Sequence, residues 1–299
     1  MKQTIKWPRY DSEINTDPCD PYTNGILTLT LRLGFKQINP PAGAAGSTYN
    51  DYGDATKPSR KIVRWTPSVW EAWKTDLCTT AQDYWRGKFW LSNDGGSFLV
   101  KKGDTYFVPN FKCMLNVEGA DAGAGSSHHT ISAVCLDKTE KWFGSHAELY
   151  DDQDTVEYQS GEDSARKPIV QKAHVHEIGH LLGLGHVDEG KPHCPAGSNT
   201  NLAPCYGVSD TDKNSVMGLG MGVRESQAQP WRVALRAFAI SEAGRHIDAR
   251  AKVVPVSQLF YMPRCAFSVF PASLINVFPR TIDEMKAGTN VISRVERGV

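Results

Sequence analysis

The sequence predicts an α+β fold, on three observations. The stretch Ile26-Leu-Thr-Leu-Thr-Leu-Arg-Leu33 alternates apolar and polar residues with period two, as a half-buried strand does. Val69, Trp70, Trp73, Leu77, Ala81 and Tyr84 recur mostly at spacings of three and four, which on a helix makes one apolar stripe. Between residues 88 and 136 lie short strand-like runs separated by Gly, Asp and Ser turns, and a second helical segment follows toward Leu182.

Along the chain, residues 1–24 are rich in Pro, Asp and Asn and read as an irregular lead-in. After the Ile26 strand, the Pro/Gly/Ala/Ser-rich stretch from Asn39 to Pro58 reads as a long surface loop. Thr66-Pro67 opens the first helix, with Thr as cap and Pro at the first helical position, where an amide N–H would have no partner anyway. Its tryptophans are expected to pack against a sheet rather than to bind a ligand. Strands are expected at Lys88–Leu91, Ser97–Val100, Thr105–Val108, Lys112–Val117 and Thr130–Leu136. The acidic segment Tyr150-Asp-Asp-Gln-Asp154 lacks EF-hand spacing and reads as a solvated loop, with a structural Ca2+ ion as the alternative. His128, His129 and His146 have no partner at the i,i+4 spacing and read as ordinary surface histidines. A second helix is expected from Pro168 to about Leu182. Residues 251–299, with Leu259, Phe260, Phe267, Phe270 and Phe278 among them, are too apolar for a free tail and either complete the domain or dock a partner.

Composition narrows the function. The chain has 299 residues, with 33 Lys+Arg against 33 Asp+Glu, so it lacks the electrostatic excess on which general nucleic-acid and membrane-surface binders rely. No apolar run approaches the roughly 18 residues that cross a bilayer. The N-terminus has no apolar stretch of about 7–15 residues, so it is not a secretory leader. The expectation is a protein that is cytoplasmic as synthesised, with a leaderless route if it is exported. Seven cysteines contain no CxxC pair, which removes the usual zinc-ribbon and thioredoxin readings. Cys194 and Cys205 are near enough in sequence to close a short loop, with buried free thiols as the alternative.

The informative stretch is His174-Val-His176-Glu177-Ile-Gly-His180-Leu-Leu-Gly183-Leu-Gly-His186. On a helix, His176 and His180 project from one face a turn apart, so their imidazoles can grip one small divalent cation. Glu177 is rotated to the flank, where it can reach a metal-bound water without taking a ligand position. Gly183 can end the helix in a left-handed turn that a side chain would penalise. The chain then offers His186 from another direction. Three neutral imidazoles leave one tetrahedral position of a single Zn2+ ion open, which is a catalytic rather than a structural arrangement. With nine histidines and 26 glycines in the chain, a chance match to the whole pattern is on the order of 10⁻⁵.

The stretch from His176 to His186 resembles the metzincin clan of zinc endopeptidases, whose pattern adds a downstream methionine turn. The candidate turn is Asn214-Ser-Val-Met217-Gly, and the resemblance places Met217 as an apolar floor beneath the three imidazoles. It is sharp over residues 168–220 and architectural elsewhere: Pro230–Ile240 resembles the clan's C-terminal helix. It implies a twisted mixed sheet, a zinc-binding active-site helix and a smaller C-terminal subdomain with the methionine turn. The whole of 1–299 is then one catalytic domain, divided into about 24–186 and 187–299. Val187 and Leu219 depart from the residues that mark the subfamilies, so none is assigned. Pro263-Arg264-Cys265 resembles the core of the matrixin cysteine switch, but lies on the wrong side of the motif and lacks the following Gly.

The expected activity is hydrolysis of a protein or peptide substrate, with Glu177 as general base and no further cofactor. The substrate is expected to lie extended along a sheet edge, for which Thr130–Leu136 is the candidate. A delivered effector or toxin protease is the alternative context, and it would imply a cognate inhibitor protein. A zinc-stabilised binding protein without activity is the competing class; intact Glu177, Gly183 and Met217 tell against it.

Overall fold

The computed structural model describes residues 2–18, 24–93, 100–102, 105–141, 147–250, 267–271 and 280–281. The strands and helices in chain order are β1 (Lys2–Lys6), β2 (Asp11–Asn15), β3 (Gly25–Ile38), β4 (Gly46–Asn50), β5 (Ser59–Val63), α1 (Pro67–Trp85), β6 (Phe89–Asn93), β7 (Val100–Lys102), β8 (Thr105–Val108), β9 (Phe111–Asp121) and β10 (His129–Leu136). There follow β11 (Leu149–Asp151), β12 (Glu157–Glu162), β13 (Pro168–Lys172), α2 (Ala173–Leu181), α3 (Asp210–Lys213), α4 (Gln229–Arg250), β14 (Phe267–Pro271) and β15 (Arg280–Thr281). The fold is α+β, with parallel and antiparallel strand pairs. Among the described residues no helix is long and apolar enough to cross a membrane.

The chain forms two compact units that interleave in sequence rather than meeting at one boundary near residue 186. One comprises Met1–Thr30, Trp85–Asn116 and Glu225–Val299, the other Leu31–Tyr84 and Val117–Arg224. In the first, β1, β2 and the start of β3 pair antiparallel, with Ile14 opposite Leu27. The expectation of an irregular lead-in is therefore wrong: β2 alternates charged residues outward with buried Ser12 and Ile14, and one apolar residue in five gave too weak a periodic signal. Strand β6 pairs with β9 and with β14, and β8 pairs with β7 and β15, so the described parts of the C-terminal region add strands to this unit. Helix α4 buries Trp231, Ala234, Leu235 and Phe238 at spacings of three and one, and Trp231 packs on Trp85 and Phe89.

The second unit holds the candidate site. Strand β10 pairs parallel with β3 and with β11, and antiparallel with β5 through Cys135 and Leu136, while β5 also carries β4. Strand β4 lies in the stretch expected to be a loop throughout; its Gly, Ser and Asn are poor strand formers, and pairing with β5 overrides them. Thr130–Leu136 is not a sheet edge, since Ser132–Val134 has a strand on each side. That excludes it as the place where a peptide would add.

Helix α1 starts as expected, with the Val69 N–H donating to Thr66 Oγ1 (3.3 Å) and the Trp70 N–H to the Thr66 carbonyl (2.9 Å). Trp70 and Trp73 stack 5.5 Å apart and meet Trp65 and Phe35 in the core, whereas Val69, counted in the apolar stripe, is exposed. The second helix is shorter than expected. Pro168–Lys172 forms β13, antiparallel to β12, because its residues alternate: Ile169 and Gln171 are buried and Val170 faces out.

Candidate metal centre

Helix α2 is seated before its ligands are considered. Ala173, Val175, Ile178 and Leu181 are buried, and so is His174, which was given no role from the sequence. Its Nδ1 lies 2.9 Å from the Asp154 carbonyl and its Nε2 2.5 Å from Thr80 Oγ1, so it ties the helix to α1 and to the turn after β11. Burial pushes its pKa down to about 4, so it is neutral. The turn itself is no solvated loop. Tyr150, Asp151 and Asp154 are fully buried; Asp151 accepts from the Gln153 N–H (2.7 Å), Asp154 from the Asp151 N–H (2.6 Å) and Asp152 from the Leu136 N–H (2.7 Å). Those carboxylates cap backbone donors of the fold.

The helix ends at Gly183, whose φ of +94° a side chain would strain. The Gly183 N–H donates to the His180 carbonyl (2.9 Å) and the Leu184 N–H to the Gly179 carbonyl (3.0 Å), the paired bonds of a Schellman motif. This turn aims the Leu184 carbonyl at His180 Nδ1, 2.8 Å away. His176 Nδ1 meets the Val216 carbonyl at 2.7 Å, and His186 Nδ1 meets the Thr200 carbonyl at 2.8 Å.

Those three carbonyls settle the tautomers. A carbonyl only accepts, so each Nδ1 carries the proton and each Nε2 presents a bare lone pair. The Nε2 atoms converge: His180 lies 3.0 Å from His176 and 3.1 Å from His186. Protonating one of them would relieve the repulsion, but burial opposes it. Burial and the two neighbouring imidazoles hold His176 well below the ordinary 6.5, burial lowers His180, and burial with His180 lowers His186 to about 4. A small divalent cation between the lone pairs removes the repulsion without a proton. Edges of about 3.3 Å are what ligand distances of about 2.0–2.1 Å to a tetrahedral ion require, so the three imidazoles fit such an ion.

No family model, curated protein or solved structure matches this chain.

Glu177 is buried one position after His176, and burial together with the charge of Asp154 raises its pKa well above the usual carboxylate value. Met217 is buried in a tight turn, where the Gly218 N–H donates to the Ser215 carbonyl (2.9 Å) and the Val187 N–H to the Met217 carbonyl (2.9 Å). A Cβ at Gly218 would collide with the carbonyl oxygens of Asp212 and Tyr206. His128 accepts the Arg32 N–H (2.9 Å) and takes no part in the centre; His146 and Pro263–Cys265 lie outside the described residues.

Four further features support the centre, of which the sequence signalled only the Cys194–Cys205 pair, as one of two alternatives. Gln171 is buried, and its side-chain amide donates to the carbonyls of Val216 (3.2 Å), Gly218 (3.1 Å) and Gly220 (3.0 Å), clamping the turn that orients His176. Cys194 and Cys205 form a disulfide, resolving the alternative left open, and it closes the loop that carries Thr200. Asp188 is buried beneath that loop, pairs with Lys191 and with His193 (2.8 Å), accepts from the Val208 N–H (3.0 Å), and donates its own N–H to the Cys205 carbonyl (3.1 Å). Tyr206 lies over the imidazoles, its ring centre 3.9 Å from that of His186 and 5.9 Å from that of His176. The HxxxH spacing signals the imidazoles that converge; nothing in the sequence signals which distant carbonyls will fix them.

Proposed function

We propose that this chain is a zinc-dependent endopeptidase of the metzincin type, holding one Zn2+ ion through His176, His180 and His186. The observation that carries the reading is the convergence of three proton-free Nε2 atoms, each fixed by a carbonyl behind it, beside a buried carboxylate. The resemblance over residues 168–220 supports it. When bound, the ion supplies Lewis acidity and an acidified water at neutral pH.

The protein's own residues do the rest. The carbonyls of Val216, Leu184 and Thr200 keep the imidazoles in the ligating tautomer, so no change of tautomer accompanies metal uptake. Glu177 takes the proton of the attacking water and returns it to the leaving amine. Its burial and the nearby Asp154 charge raise its proton affinity in the direction a general base needs. It is the only acidic residue within the HEIGH stretch, so acid and base roles fall on one side chain.

The test is digestion of casein and of a quenched peptide library by zinc-loaded protein, with and without a chelator. Cleavage that stops on chelation and returns with zinc is expected. Glu177→Ala should keep the metal and lose about 10²–10⁴-fold in rate. Undiminished proteolysis in a pure Glu177→Ala sample, or none by the zinc-loaded wild type, would overturn the reading.

A further inference from the structure

We propose that Tyr206 is a further catalytic residue of this site: its hydroxyl donates a hydrogen bond to the scissile carbonyl oxygen and stabilises the charge that develops there. The inference rests on the hydrolytic reading above and assigns within it a role that the zinc-binding motif does not supply.

Three observations lead to it. The ring covers two of the three imidazoles, at 36° to His186 and 18° to His176, so the side chain sits at the metal centre itself. Its backbone is held rigidly. Cys205 on one side is disulfide-bonded, Gly207 on the other has a φ of +118°, and the Tyr206 carbonyl abuts Gly218 of the methionine turn. Its hydroxyl, in contrast, makes no hydrogen bond among the described residues, although the ring is half-buried. Stacking alone would be served as well by phenylalanine. A positioned phenol with an unspent O–H is a hydrogen-bond donor awaiting a partner.

A phenol is protonated at neutral pH, so Tyr206 takes no proton from water and donates none outright. In the step, water oxygen bonds to the carbonyl carbon, the water proton passes to Glu177, and the carbonyl π pair moves onto the oxygen that Tyr206 faces. Collapse re-forms the carbonyl and breaks the C–N bond as Glu177 protonates the amine nitrogen. Tyr206 keeps its proton throughout, and its hydrogen bond is strongest while the oxygen is negative.

The experiment compares zinc-loaded wild type with Tyr206→Phe, which retains the stacked ring. The probes are a quenched peptide that the wild type cleaves and a phosphinic peptide that mimics the tetrahedral anion. Loss of one oxyanion donor is expected to lower kcat about 100-fold and to weaken phosphinic-peptide inhibition similarly, with KM within about twofold and zinc content unchanged. A kcat within about threefold of wild type would remove the role, as would a loss of zinc content whose refilling restores activity, because the ring would then be only a support for His186. A zinc-loaded wild type that cleaves no peptide removes the hydrolytic reading itself, and this proposal with it; that failure is seen in the wild-type arm alone.

Discussion

The three imidazoles are fixed by carbonyls at very different separations along the chain. His180 leans on Leu184, four residues away, through a turn that Gly183 makes by itself. His186 leans on Thr200, 14 residues away in a disulfide-closed loop, and His176 on Val216, 40 residues away in the turn around Met217. One arm of the site is thus local, and two depend on tertiary structure. Both distant arms need their own braces, Gln171 for one and Asp188 with the disulfide for the other. A site so built should fail first at its distant arms.

The largest effect is expected at the His176 arm. Gln171→Leu leaves the carbonyls of Gly218 and Gly220 without this donor inside the protein, and each unsatisfied acceptor costs about 1–3 kcal/mol. A loss of about 3 kcal/mol or more in urea unfolding should accompany a zinc affinity lowered about 10–100-fold. The His186 arm comes next. Cys194→Ser with Cys205→Ser should cost about 2–4 kcal/mol, and zinc titration should show weaker binding, which reduction of the wild type by a dithiol reproduces.

A pH series on metal-free protein probes the face of α2 opposite the ligands. His174 has a folded pKa of about 4 against 6.5 in the unfolded chain, so the unfolded chain binds the proton first. Stability is full above pH 6.5 and falls as the pH drops toward 4; at pH 5 this group alone removes about 2 kcal/mol. A urea midpoint at pH 5 equal to that at pH 7 would contradict the neutral, buried assignment. The smallest effect belongs to the local arm. Gly183→Ala strains the left-handed turn by about 1–2 kcal/mol, and its effect on zinc affinity should be smaller than that of either distant brace.

The same contrast explains what could be read from the chain. Periodicity exposed β3, the stripe of α1 and the ligand spacing because each is written within a few residues. Strands β1 and β2 escaped because each carries a single apolar residue, Ile5 and Ile14, too few for a periodic signal, and β13 was taken for helix because Pro168 suits either element's first residue. Asp151 and Asp154 looked solvated because their backbone partners cannot be inferred from composition. At the site, residue types and spacing pointed to the three imidazoles that converge, to the buried Glu177 and to the Gly183 turn. They did not reveal Gln171, Thr200 or Tyr206, whose importance lies in contacts across 14 to 47 or more residues or in a ring laid over another loop.

X-ray absorption at the zinc edge of the loaded protein tests the central claim most directly. One zinc per chain is predicted, with three imidazole nitrogens at about 2.0–2.1 Å and one exchangeable oxygen, a set that loses one imidazole in His186→Ala. A shell containing sulfur, a fourth fixed protein ligand, or fewer than three imidazoles in the wild type would contradict it.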